Sequence, residues 1–72
     1  MMSIAKGELE KTYQIISVET NDEELDNFLF TLGCYTGEKI TLISKTNDNY
    51  VIVIKDSRYN IDKALAEVIK VA

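Results

Sequence analysis

The chain has 72 residues, and its 12 Asp and Glu residues outnumber its 8 Lys and Arg residues to give a net charge of −4. This length predicts one domain over residues 1–72, and the dispersed cations argue against a nucleic-acid-binding protein, which needs clustered ones. A single cysteine cannot form an intramolecular disulfide, and no apolar run is long enough for a signal peptide or a bilayer span. We therefore predict a cytoplasmic protein without direct membrane insertion.

The first predicted element is a strand over residues 12–19, a segment rich in β-branched and aromatic side chains. Apolar and polar side chains alternate along it, as they do when one face of a strand is buried. The alternation slips at Ile15 and Ile16, where two apolar residues are adjacent. This slip is typical of a β-bulge, or of a strand that bends around a small barrel.

A helix is predicted over residues 21–32, where the apolar positions have helical spacing. Counted from the first of them, they recur after three, four and seven residues and share one face: Leu25, Phe28, Leu29 and Leu32. Gly33 follows as the left-handed residue that commonly ends a helix. The sequence therefore predicts one amphipathic helix with a defined end.

The start of this helix has two candidate caps. Asn21 with Glu24 three residues later has the pattern of a capping box, and Thr20 with Glu23 offers the same pattern one residue earlier. Carboxylates in the first turn also favour the positive end of the helix dipole. Both patterns predict that the first helical turn follows directly after residue 20 or 21.

The rest of the chain is predicted as short strands separated by turns. The strands cover residues 38–45, 50–55, 58–61 and 68–71, and one helical turn covers residues 62–66. The first two of these strands form a hairpin around Asn47-Asp48-Asn49, and Asp56-Ser57 makes the following turn. The strand over residues 50–55 is apolar on both faces, so we expect it in the middle of the sheet.

Strands this short cannot form two broad sheets packed face to face. A single bent sheet leaves fewer strand edges unpaired, and the amphipathic helix can cover one of its open ends. The predicted fold is therefore mainly β. It is a small SH3-like β-barrel of about five short strands, with one amphipathic α-helix and one short helical turn.

The ordered pattern of residues resembles the FeoA family from about Lys11 to Val71. The helix end and the following turn have the family's form Leu-x-x-Leu-Gly-x-x-x-Gly, here from Leu29 to Gly37. Two further stretches carry the resemblance: Tyr13-Gln14-Ile15-Ile16 in the first strand, and Arg58-Tyr59-Asn60-Ile61 with Ala66, Ile69 and Val71 in the tail. The chain departs from the family in having Thr36 where many members have a proline.

The resemblance implies an SH3-like barrel and a small cytoplasmic accessory protein of bacterial ferrous-iron uptake. It implies that the chain binds the cytoplasmic part of the membrane transporter FeoB and modulates transport, with no cofactor and no chemistry of its own. A second interpretation is an SH3-like interaction module related to the C-terminal domain of metal-dependent repressors, with a different partner. No oligomeric state is predicted.

An enzyme is the third interpretation, and the sequence argues against it. With no histidine and only three glycines, the chain has neither a Ser-His-Asp or Cys-His set nor a glycine-rich phosphate loop. Paired carboxylates could act as acid and base only in a pocket, and no pattern indicates one. We therefore assign no catalytic residues.

A metal site is not predicted either. Cys34 is the only thiol, and a transition-metal site needs several converging sulfur or imidazole ligands. We therefore interpret Cys34 as a small packing residue after the helix. The carboxylates of the first helical turn point around the helix axis instead of converging, which is typical of a solvated helix start. These residues are Asp22, Glu23, Glu24 and Asp26.

The candidate partner-binding residues are Phe30, Tyr35 and Arg58. Phe30 lies off the apolar face of the helix, so we expect it either to pack beneath the following loop or to form an exposed apolar patch with Tyr35. Aromatic side chains and arginine often anchor protein interfaces. Arg58, in the tail of the chain, is the third residue predicted for this surface.

Overall fold

The computed structural model describes residues 2–72, in which six β-strands, two α-helices and one 3₁₀ turn follow one another. The strands are β1 (Met2–Ser3), β2 (Thr12–Val18), β3 (Lys39–Lys45), β4 (Asn49–Ile54), β5 (Ser57–Asp62) and β6 (Ile69–Val71). The helices are α1 (Glu23–Leu32) and α2 (Lys63–Val68), and the 3₁₀ turn is Ile4–Lys6. The mainly-β prediction is confirmed, with six strands in place of about five.

The strands form one antiparallel sheet with the order β1-β6-β2-β3-β4-β5. β2 bends this sheet, because its first half pairs with β3 and its second half pairs with β6. The register shifts between Ile15, opposite Val71, and Ser17, opposite Lys70. This shift confirms the bulge predicted at Ile16. The sheet is strongly curved as a result, and the molecule measures 28 × 25 × 24 Å.

The curved sheet encloses the hydrophobic core. Alternate strand residues point into it, and the fully buried ones include Ile15, Ile40, Leu42, Ile52, Ile69 and Val71. β4 lies between β3 and β5, in agreement with its predicted central position. Full burial of one large aliphatic side chain stabilises the folded state by about 1.5–3 kcal/mol, so these residues supply most of the stabilisation.

The N-terminal segment contributes a strand and a turn that the sequence analysis did not predict. β1 pairs with β6 through Met2 opposite Val71, and the 3₁₀ turn buries Ile4 completely. Lys45 Nζ donates to the carbonyl of Ala5 at 3.3 Å, which joins this segment to β3. A two-residue strand and a single turn are too short to produce a periodic pattern in the sequence.

The turn between β4 and β5 lies one residue earlier than predicted. Lys55 and Asp56 form it, with φ angles of 51° and 66°, so Ser57 belongs to β5 and pairs with Ile54. A two-residue hairpin loop of this kind needs left-handed backbone at both positions, because that conformation matches the twist of the strands. Glycine usually marks such a turn, and this one has none.

α2 is a helix of six residues, longer than the single turn predicted over residues 62–66. Asp62 caps it, because its carboxylate accepts a hydrogen bond from Leu65 N–H at 2.8 Å. Ala66 packs into the core. Within residues 2–72, neither α2 nor any other helix has the length and apolar content needed to cross a membrane.

Neither predicted capping box forms at the start of α1. Asp22 is the N-cap, and its carboxylate accepts from the N–H of Glu24 at 2.9 Å and from the N–H of Leu25 at 3.3 Å. The Thr20 hydroxyl supports this cap by accepting from Asp22 N–H at 3.1 Å. Aspartate and asparagine are equally good caps, so cap preference alone does not decide between neighbouring candidates.

Only part of the apolar face of α1 packs on the sheet. Leu29 is fully buried and Leu32 packs against the core, whereas Leu25 is 39% exposed and Phe28 is 47% exposed. The helix therefore covers the sheet with its C-terminal half only. Helical spacing identifies an apolar stripe, but tertiary contacts decide which part of it is covered.

Candidate partner-binding surface

Gly33 ends α1 in the left-handed conformation that the sequence predicts, with φ of 99°. Its N–H donates to the carbonyl of Phe30 at 3.0 Å, and Cys34 N–H donates to the carbonyl of Leu29 at 2.9 Å. A Cβ at position 33 would lie 2.9 Å from Cγ2 of Ile54. Glycine therefore both turns the chain and lets the helix end approach β4 closely.

The turn after α1 is fixed to the bulge of β2. Gly37 N–H donates to the carbonyl of Ile15 at 2.8 Å, and the Thr36 hydroxyl donates to the carbonyl of Ile16 at 3.0 Å. A proline at position 36 would have no side-chain donor for the second bond. These bonds hold Tyr35 in a defined position.

Phe30 and Tyr35 form an aromatic ridge at the end of α1. Their ring centroids are 5.0 Å apart and their planes are inclined by 39°, an arrangement that aromatic pairs favour. Phe30 is 63% exposed and Tyr35 is half-buried. Of the two alternatives that the sequence left open, the structure shows the exposed contact with Tyr35 and not the packing of Phe30 beneath the loop.

A shallow cleft lies on each side of the aromatic ridge. The Asp26 cleft has a volume of about 230 Å³ and is completed by Val18, Asp26, Cys34 and Thr36. The Lys55 cleft has a volume of about 590 Å³ and is completed by Leu32, Lys55, Ser57 and Tyr59, among others. Phe30 and Tyr35 line both clefts, so a partner that fills either one must contact the ridge.

Lys55 brings a positive charge to the edge of its cleft. Its Nζ lies 3.1 Å from Oε1 of Glu38 and 5.3 Å from the centroid of the Tyr35 ring. The Tyr35 side chain, and after it the Glu38 carboxylate, raise the pKa of the Lys55 ammonium above its ordinary value. Lys55 therefore stays charged at neutral pH and helps to orient Tyr35.

Arg58 lies apart from the two clefts. Its neighbours Ser57 and Tyr59 line the Lys55 cleft, and successive residues of a strand point to opposite faces. The exposed Arg58 side chain therefore leaves from the other face of β5. The structure brings Phe30 and Tyr35 together but places Arg58 elsewhere, and its role in partner binding stays a prediction.

Lys55 and Tyr59 are among the residues of this surface that were not predicted from the sequence. Strand alternation could have indicated Tyr59, because Ser57, Tyr59 and the buried Ile61 share one face of β5. No local signal indicates Lys55. Its position depends on the β4–β5 turn and on the approach of α1 to β4.

The charge around the ridge is one-sided. Residues 12–38, which include β2, α1 and the turn after α1, contain six Asp and Glu residues and no Lys or Arg. Four of these carboxylates surround the start of α1: Asp22, Glu23, Glu24 and Asp26. The helix side of the ridge is thus negative, and Lys55 stands on the opposite side.

Cys34 is a packing residue, as the sequence analysis interpreted it. Only 3% of its surface is exposed, and burial raises the pKa of the Cys34 thiol to about 11. At neutral pH the side chain is therefore a neutral thiol. A thiol without its thiolate form is a poor nucleophile and a poor metal ligand.

We expect the free energy of unfolding to decrease between about pH 9 and pH 11 through this thiol. In the unfolded chain a cysteine ionises near its ordinary pKa of about 8.5, whereas Cys34 in the folded protein keeps its proton to about pH 11. Over this range the folded state binds more protons than the unfolded state, so stability decreases as pH rises. Urea unfolding at a series of pH values measures the effect.

Cys34→Ala is the matched control, because it removes the ionisation of the Cys34 thiol and keeps every lysine and tyrosine, which also ionise at high pH. The difference in unfolding free energy between the wild type and Cys34→Ala should become smaller as the pH rises from about 8 to about 11. A difference that did not depend on pH would contradict a buried, neutral thiol.

Within residues 2–72, no three His, Cys, Asp or Glu side chains lie close enough together to hold a metal ion. Zinc sites use histidine nitrogen, thiolate sulfur and carboxylate oxygen, and the chain offers no histidine, one buried cysteine and no such cluster of carboxylates among these residues. The residues present therefore do not fit such a site. The ridge and its clefts offer apolar area and a few polar groups, which suit binding.

The family comparison identifies a FeoA domain, whose model matches residues 2–72. A search of the curated proteins found no match. The match to the family model covers nearly the entire chain, including β1 and the 3₁₀ turn.

Solved structures share the fold. One is the FeoA of Stenotrophomonas maltophilia complexed with zinc, described as a prokaryotic SH3 domain protein. Its TM-score is 0.88 at 17% identity, and the match covers 100% of this chain and 91% of that one. Another is iron(II) transport protein A of Clostridium thermocellum, with a TM-score of 0.88 at 24% identity over 97% of this chain and 44% of that one. These similarities confirm the SH3-like fold.

The same fold occurs in a larger regulator. A manganese-dependent transcriptional repressor matches 97% of this chain with a TM-score of 0.88, at 10% identity and over 40% of its own length. Identities this low show the fold alone, whereas the family model matches the sequence itself over residues 2–72. The chain belongs to the FeoA domain family.

Proposed function

We propose that this protein is a small cytoplasmic accessory protein of bacterial ferrous-iron uptake that binds the cytoplasmic part of a FeoB-like transporter and modulates transport. Membership of the FeoA domain family supports the link to ferrous-iron transport. The observation that carries the binding role is the aromatic ridge, a 63%-exposed phenylalanine stacked on a tyrosine between two clefts.

The ridge has the properties of an interface anchor. Aromatic side chains that fill a pocket on a partner dominate binding energies. Hydrogen bonds of the helix end and of the turn hold the backbone around Phe30 and Tyr35, so the two residues need little backbone ordering on binding. The exposed Leu25 and Phe28 extend the apolar area along α1.

Charge indicates the kind of partner surface. Four carboxylates surround the start of α1 on the helix side of the ridge, and residues 12–38 contain no Lys or Arg. A complementary patch on the transporter would carry Lys or Arg around an apolar pocket. Binding should therefore weaken as the salt concentration rises, because salt screens exposed charges.

The second candidate function is an interaction module with a different partner. It is supported by the repressor whose structure contains the same fold within a longer chain. In that case the same ridge would bind a regulator instead of a transporter. Binding of the purified transporter part, compared with that of a metal-dependent repressor without its own SH3-like domain, distinguishes the two.

The test measures binding of the purified cytoplasmic part of the transporter to wild type, Phe30→Ala and Tyr35→Ala by isothermal titration calorimetry. Each measurement is made with and without added nucleotide, because the resemblance leaves the nucleotide dependence of binding open. We expect each substitution to weaken binding about 10–100-fold, which is the usual effect of truncating a central aromatic anchor. Arg58→Ala is included, because its predicted contact is untested.

Leu9→Ala is the matched control. Leu9 is 51% exposed, a large apolar residue that lines neither cleft. It should leave the affinity unchanged, since scattered exposed apolar residues are common. No binding of the wild type in any nucleotide state would contradict the proposed function. Equal effects of Leu9→Ala and Phe30→Ala would contradict the ridge as its site.

A further inference from the structure

β5 leaves one edge of the sheet open. It stands last in the strand order and pairs only with β4. Within residues 2–72, the outer edge of β5 has no backbone hydrogen bond to another element. An open edge of six residues is a ready template for a further strand.

The hairpin register identifies the groups on this edge. The two-residue turn makes Ile54 and Ser57 a hydrogen-bonded pair, and hydrogen-bonded pairs alternate with non-hydrogen-bonded ones along an antiparallel ladder. The pair of Ile52 and Tyr59 is therefore hydrogen-bonded, while the pair of Val53 and Arg58 is not. The backbone N–H and C=O groups of Arg58, and of Asn60 two residues on, point away from β4.

The exposed side chains along this edge are complementary to the same side chains on a second copy of β5. Arg58, Asn60 and Asp62 lie on one face of β5 at alternate positions, and all three are exposed. When a second β5 is laid antiparallel with Asn60 opposite Asn60, Arg58 of each copy falls opposite Asp62 of the other. On the inner face, Tyr59 of one copy falls opposite Ile61 of the other.

We propose that β5 is a self-association edge, which pairs two copies of this chain about a two-fold axis through Asn60. The two Asn60 residues exchange both backbone hydrogen bonds, and Asp62 N–H of each copy donates to the carbonyl of Arg58 in the other. Two Arg58–Asp62 ion pairs flank this centre. A two-fold interface needs such a self-complementary pattern, and opposite charges directly across strands favour the pairing.

The Asp62 carboxylate can cap α2 and pair with Arg58 of the second copy at the same time. Its Oδ1 accepts the capping bond from Leu65 N–H, and its second oxygen is free to meet the Arg58 guanidinium of the second copy. The interface is small, since an edge pair buries less than the roughly 1,200 Å² of a standard stable interface. Association is therefore expected at high protein concentration only.

Asn60→Pro tests the proposal, and Asn60→Ala is its matched control. Proline removes the Asn60 N–H, which faces outward, so the monomer loses no bond to β4. Sedimentation velocity from about 10 µM to about 1 mM should show dimers for the wild type and Asn60→Ala, and only monomers for Asn60→Pro. Melting curves at the lowest concentration confirm that both variants are folded.

A charge pair gives a second, independent readout. Arg58→Glu places two carboxylates opposite each other at both ends of the interface, and should weaken association at least 10-fold, whereas Arg58→Lys should keep it. A wild type that stays monomeric at about 1 mM would overturn the proposal. So would a dimer that persists in Asn60→Pro and Arg58→Glu. Capture of a transporter strand at this edge, without self-association, would overturn the assignment to a second copy.

Discussion

Leu29→Ala is expected to lower the free energy of unfolding by about 2–5 kcal/mol, the largest effect of any single substitution in α1. Leu29 is the only fully buried residue of this helix. Its truncation removes apolar contact and leaves a cavity beneath the helix. A domain of this size has a total stability of roughly 5 kcal/mol, so the variant should be close to its unfolding midpoint at room temperature.

Leu25→Ala is the control, because it makes the same chemical change one helical turn earlier. Leu25 is exposed, and leucine and alanine have similar helix propensities, so the loss should stay below about 1 kcal/mol. Urea unfolding of both variants measures the difference. Equal losses would mean that α1 is not anchored through Leu29.

The anchor also matters for the proposed function. Phe30 follows Leu29 directly, and the turn that carries Tyr35 begins at Gly33, three residues after Phe30. If Leu29→Ala loosens α1, the aromatic ridge loses its fixed geometry. Backbone hydrogen exchange should then increase in α1 more than in β3 and β4, because those strands keep their own core contacts.

Gly33→Ala is expected to lower the free energy of unfolding by about 2–5 kcal/mol for two separate reasons. The residue has φ of 99°, a left-handed conformation that costs an L-residue with a side chain about 1–2 kcal/mol. In addition, the new Cβ would lie 2.9 Å from Cγ2 of Ile54, which is buried in the core. Relieving that overlap costs roughly 1–3 kcal/mol.

Gly37→Ala separates the cost of the left-handed backbone from the cost of the overlap with Ile54. Gly37 is also left-handed, with φ of 95°, but a Cβ there meets nothing within 4 Å. It should therefore cost only the backbone part, about 1–2 kcal/mol. Thermal or urea unfolding of the two variants compares them directly. A Gly37→Ala variant as unstable as Gly33→Ala would show that contact with Ile54 contributes nothing.

Several features of this protein were determined by the sequence on its own. The bulge of β2 followed from two adjacent isoleucines, the helix from its apolar spacing, and the helix end from Gly33. The contact between Phe30 and Tyr35 was one of two alternatives that the sequence left open. Each of these features depends on residues close together in the chain, where local backbone preferences and side-chain periodicity act directly.

Other features were decided only by the tertiary structure. The sequence could not show that α1 covers the sheet with Leu29 and Leu32 but leaves Leu25 and Phe28 exposed. It could not show that Lys55 reaches Tyr35, or that β5 ends the sheet with Arg58 on its outer face. A periodic pattern defines the faces of a helix or strand, whereas contacts with distant parts of the chain decide which of these faces becomes buried.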